Sequence, residues 1–64
     1  MKFVKLGHWY VKANRIVAVD IYVTAMSVTI YCDDGRQYSM HFATEKGTRD
    51  AHENLMRELS EIGD

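Results

Sequence analysis

Proline is absent from these 64 residues, and cysteine occurs once, at Cys32. A lone cysteine excludes an internal disulfide and a cysteine-rich zinc site. With no proline and four glycines, nothing reads as a linker, repeat or low-complexity tract, so residues 1–64 form a single small domain. No stretch approaches the ~20 apolar residues that a membrane span needs. In "MKFVKLG", Lys5 and Gly7 cut the apolar run short of a signal-peptide core. These absences leave a cytoplasmic protein, away from membranes, as the expectation. A chain this short buries only about 60% of its unfolded surface. Disulfides and cysteine-bound zinc are excluded, so self-association is the remaining common aid to stability.

What is present supports a real core. The apolar fraction is 47%, too high for a disordered chain. Net charge is −1, but the halves differ, at +3 over residues 1–32 and −4 over 33–64. That division describes a mildly basic sheet beside a solvated acidic helix.

Short strands are expected at 3–6 and 9–13, separated by a turn at Gly7-His8, and longer ones at 15–23, 26–32 and 36–42. The run "CDDGRQYSMHF" carries a thiol, two carboxylates, an arginine and a histidine, and its register decides what they do. A three-residue loop, Asp33-Asp34-Gly35, pairs Ile30 with Tyr38, Val28 with Met40 and Met26 with Phe42, all apolar on one face. Gly35 then takes the left-handed position of a bulged turn. Ser27, Thr29 and Tyr31 fall on the other face, opposite His41, Ser39 and Gln37. Cys32 points to the apolar side and His41 to the polar side, too far apart in orientation to act together. The run turns the chain.

Ala51, Leu55, Leu59 and Ile62 recur at helical spacing, flanked by Met56, while Arg49, Glu53, Arg57 and Glu61 alternate in charge on the opposite face. Thr44 or Thr48 caps this helix, with Gly47 favouring Thr48, and Gly63 is a suitable stop. The fold class is therefore α+β, with an antiparallel sheet of four or five strands and one C-terminal helix packed on one face. Strand 15–23 is apolar on both faces, which predicts a homo-oligomer, most simply a two-fold dimer, covering the face that one helix leaves open. On that reading Ile16 and Tyr22 lie opposite Val17, Val19 and Ile21.

No constellation points to catalysis. Asp33-Asp34 suits a tight turn better than an acid–base pair. His8, His41 and His52 share no metal-binding spacing, and no glycine-rich phosphate cradle exists. No cofactor is expected. Trp9 and Tyr38 are assigned to the core. A non-catalytic interaction or regulatory module that contacts another protein is the expected function, with Ile16, Tyr22, Tyr31, Tyr10, Lys12 and His41 as the candidate surface. The alternative is a small nucleic-acid-binding protein, because sheet-borne aromatic rings flanked by cations stack on single-stranded bases.

The order of "VKLGHWYVKANRI", then "VTIYCDDGRQY", then a short helix resembles the FlbD-type swarming-motility proteins of bacterial flagellar operons. Leu6-Gly7, Trp9-Tyr10, Ile16 and Gly35-Arg36 match that pattern, whereas "KAN" stands where the family has an Asn-Pro corner. The resemblance implies no catalytic residues and no cofactor. The hairpin of residues 26–42 is also similar to part of LytTR-type DNA-binding domains, a likeness that implies nucleic acid as a partner.

Overall fold

The computed structural model describes residues 2–62; Met1, Gly63 and Asp64 lie outside them, and with them the expected helix stop at Gly63. Strands β1 (Phe3–Leu6) and β2 (Trp9–Lys12) pair antiparallel around the two-residue turn Gly7-His8. Gly7 has a φ of 59°, the left-handed value that a hairpin turn with glycine at its first central position requires. The chain also passes close here, since a Cβ on Gly7 would lie 2.2 Å from Met40 Cε. A short 3-10 turn, Ala13–Arg15, then redirects the chain. It is held at both ends, by Ala13 N–H donating to Lys2 O at 3.0 Å and Asp33 N–H donating to Arg15 O at 2.9 Å.

Strands β3 (Ile16–Tyr22), β4 (Ser27–Cys32) and β5 (Gln37–His41) form a second antiparallel sheet in that spatial order. The five strands therefore divide into a two-stranded and a three-stranded sheet and do not form the single sheet expected. The physical reason is the turn at Ala13–Arg15, which lets the first hairpin fold onto the face of the second sheet. Both then bury apolar side chains in one shared core.

The register of β4 and β5 agrees with the sequence pattern, with Ile30 opposite Tyr38, Val28 opposite Met40 and Ser27 opposite His41. Phe42 N–H donates to Met26 O at 2.8 Å, which extends the ladder by one further pair. Gly35 has a φ of 87°, its N–H donates to Cys32 O at 3.1 Å, and Cys32 N–H donates to Arg36 O at 2.9 Å. That is a three-residue loop closed by a left-handed glycine. Asp34 Oδ1 accepts from Arg36 N–H at 3.0 Å, so this carboxylate serves the turn.

Helix α1 (Glu45–Ile62) begins earlier than the favoured Thr48 cap implied. Thr44 is the cap: its Oγ1 accepts from Gly47 N–H at 2.9 Å. Gly47 is helical, and a Cβ there would crowd Thr44 Oγ1 at 3.1 Å. Thr48 is fully buried and its hydroxyl donates back to Thr44 O at 2.8 Å. The apolar stripe is as expected, with Leu55 buried and Ala51, Leu59 and Ile62 packed on the core.

Val4, Leu6 and Val11 of the hairpin meet Val28, Ile30 and Cys32 of β4 and Leu55 of α1. Each such side chain contributes on the order of 1.5–3 kcal/mol when fully buried. The hairpin and α1 thus lie side by side over one face of the three-stranded sheet, with α1 touching β1, β4 and β3.

One face assignment changes. A bulge between Ile16 and Ala18 shifts the β3 register by one residue. Such an insertion flips the side chains beyond it to the other face. Ile16 consequently packs toward the core beside Val19 and Ile21, not outward with Tyr22, while Val17 is pushed out and is 67% exposed. The outer face of β3 carries Ala18, Asp20 and Tyr22 beside the extruded Val17, while Ile16, Val19 and Ile21 all lie on the core side.

A candidate binding face on the N-terminal hairpin

The six surface residues selected from sequence separate into three places. Ile16 belongs to the core side. Tyr22, Tyr31 and His41 share the outer face of the three-stranded sheet. Tyr10 and Lys12 lie on the outer face of the β1–β2 hairpin, on the other side of the molecule.

The hairpin face follows from alternation. Val4, Leu6, Trp9 and Val11 point inward, so Phe3, Lys5, Tyr10 and Lys12 must point outward. Phe3 stands opposite Lys12 and Lys5 opposite Tyr10, giving a checkerboard of two rings and two cations. Phe3 is 53% exposed and Tyr10 67%. Lys5 Nζ sits 5.7 Å from the Tyr10 ring centroid, a cation–π distance. Residues 1–19 contain Lys2, Lys5, Lys12 and Arg15 and no acidic residue at all. Beside the rings, a recess of about 220 Å³ is lined by Phe3, Tyr10, Lys12, Arg15, Cys32, Asp34 and Tyr38, among others. Arg15 is steadied there by Asp33, at 3.3 Å. Phe3 and Lys5 were missed in the sequence, although a two-residue turn at Gly7-His8 places each of them on this face.

The opposite sheet face is occupied with itself. Tyr22 Oη donates to Asp20 Oδ2 at 3.2 Å and lies 3.3 Å from Tyr31 Oη. The bond with Tyr31, then Asp20 through its bond and its charge, push the Tyr22 hydroxyl up to about 12. Thr29 and Ser39 hydroxyls meet at 2.9 Å, and Ser27 and Thr29 are each only 6% exposed. Trp9 packs on Tyr38, ring centroids 5.0 Å apart, and donates its Nε1–H to Ser39 O at 3.1 Å, covering part of the β5 edge.

Other features are less suited to a site. Burial, followed by the nearby Asp34 and Asp33 charges, pushes the Cys32 thiol up from its ordinary value, which keeps it protonated and weakly nucleophilic. His41 is exposed on the far face. Among the described residues no three His, Cys, Asp or Glu side chains are grouped to hold a metal ion, and no helix is long and apolar enough to cross a membrane. A groove of about 560 Å³ between β1 and α1 mixes Lys5 and Arg57 with Glu58 and Glu61. Its exposed strand edge is already approached by Glu58, whose Oε1 lies 3.5 Å from Lys5 N. Arg57 and Asn54 bond to each other there.

No family model, curated protein or solved structure matches the chain.

Proposed function

We propose that this protein is a non-catalytic interaction module that works by binding a macromolecular partner through the outer face of its N-terminal hairpin. The observation that supports this is the pairing of two large exposed rings, Phe3 and Tyr10, with two lysines directly across the strands. Exposed aromatic area of this kind stays in contact with water unless a partner covers it. The tyrosines of the other sheet face differ, because their hydroxyls are engaged within the chain. A regulatory setting, such as the resemblance to flagellar-operon proteins suggests, suits a module that acts by contact.

The test is photocrosslinking in cells from a benzophenone residue placed at position 10 or, as control, at position 22. The expected result is a discrete adduct from position 10 and none from position 22. Equal adducts from both, or none from position 10, would remove the hairpin as the working surface.

A further inference from the structure

We infer that the partner of the hairpin face is single-stranded nucleic acid. This rests on the reading of that face as the binding surface and adds the chemistry of what it binds.

The charge is of the right sign and in the right place. Lys5 and Lys12 stand among the rings, Lys2 precedes them, and neither strand carries an acid, with Asp34 and Glu58 entering only from other elements at the margins. The rings are arranged for stacking. Phe3 and Tyr10 occupy a diagonal of the antiparallel pair, a placement that separates such residues by roughly 7–8 Å. That is the scale on which successive bases of an extended strand stack on aromatic side chains beside a cationic track. A two-stranded ribbon can enter the major groove of duplex DNA, but exposed rings stack only on bases that are unpaired, which favours the single strand. A protein partner fits less well, because lysine is depleted in protein–protein interfaces and here occupies half of the checkerboard. An added peptide strand is disfavoured too, since Lys5 N–H, on the free edge of β1, already faces Glu58.

With about three lysines facing phosphates, binding should be salt-dependent, with log affinity falling against log salt with a slope of about −2. Stacking should carry much of the rest, so Tyr10→Ala should weaken binding by about tenfold.

The experiment is fluorescence anisotropy with a labelled oligothymidylate of about 12 nucleotides and a duplex of the same length, at low and moderate salt. The variants are Tyr10→Ala, the pair Lys5→Glu with Lys12→Glu, and Tyr22→Ala. The expected result is single strand bound more tightly than duplex, the salt slope above, loss with the lysine pair, and no change in affinity with Tyr22→Ala. Thermal melts confirm that each variant is folded; should Tyr10→Ala not fold, Tyr10→Leu replaces it. No single-strand binding at low salt, tighter binding of duplex, or an equal loss with Tyr22→Ala would overturn the inference. If the position-10 crosslink forms while oligonucleotide binding fails, the partner class is wrong and the hairpin surface stands. If the crosslink also fails, both fall.

Discussion

Both sheets press one face into the shared core, and both carry tyrosine on the other, yet the two outer faces differ in what their polar groups are doing. On the three-stranded sheet Tyr22 bonds to both Asp20 and Tyr31, and Thr29 bonds to Ser39. On the hairpin Tyr10 is 67% exposed and Lys5 Nζ lies 5.7 Å from its ring centroid. An exposed tyrosine is therefore not a site by virtue of exposure alone. What distinguishes the hairpin is aromatic surface interleaved with lysines on strands that carry no acid of their own, with Asp33, Asp34 and Glu58 at its margins.

The largest effect tests what the faces have in common. Leu55 is buried where the hairpin, β4 and α1 meet, so Leu55→Ala should destabilise by about 2–5 kcal/mol, much of what a domain this small possesses. Thermal melting would show it, and both faces should be lost together. Two separate transitions would mean that the hairpin folds independently of the sheet.

The bulge in β3 decides which residues belong to the outer sheet face. Ile16→Asp places a charge toward the core and should cost about 2–3 kcal/mol. Val17→Asp, one residue on and 67% exposed, should stay within about 0.5 kcal/mol. Denaturant midpoints for the pair would settle the register. Reversed effects would restore Ile16 to the surface with Tyr22.

The turns of the two hairpins can be compared by the same substitution. Gly7→Ala meets both a positive φ and Met40 at 2.2 Å, and should cost about 2 kcal/mol or more. Gly35→Ala meets only the positive φ, with nothing within 4 Å, and should cost about 1 kcal/mol. Equal melting temperatures would contradict the close approach of the first hairpin to β5.

The smallest effect belongs to the tyrosine network. The folded state holds the Tyr22 proton more tightly, at about 12 against an ordinary value of 10.0. Stability linked to this group is therefore complete below the ordinary value and is lost as pH rises from there through about 12. Tyr22→Phe should flatten that decline in denaturant titrations. An unchanged alkaline profile would mean that the Tyr22–Asp20 and Tyr22–Tyr31 contacts are not held in solution.

Much of the fold was legible because alternation and turn chemistry agree. The β4–β5 register could be read from six apolar residues that needed one face, and Gly35 fixed the loop length. The helix stripe followed from the spacing of Ala51, Leu55, Leu59 and Ile62. Three features were not legible. A bulge leaves little trace in a run such as "RIVAVDIYV", where nearly every position is apolar and either register buries something. Gly47 looked like an interruption, yet it serves Thr44, whose hydroxyl needs the space that a Cβ would take. The split into two sheets depends on how Ala13–Arg15 redirects the chain, and that emerges only with tertiary contacts. The candidate face is half legible: Tyr10 and Lys12 follow from the sequence, but alternation alone does not separate them from Tyr22, Tyr31 and His41, which the layers place on the opposite side.

The most direct test of the contrast between the two faces is a titration of the isotope-labelled protein with oligothymidylate, followed by amide chemical shifts. The account predicts that the shifts concentrate on Lys2, Phe3, Lys5, Tyr10 and Lys12, with Asp20, Tyr22, Tyr31 and Ser39 unmoved. Shifts concentrated on the second group, or no shifts at low salt, would contradict it.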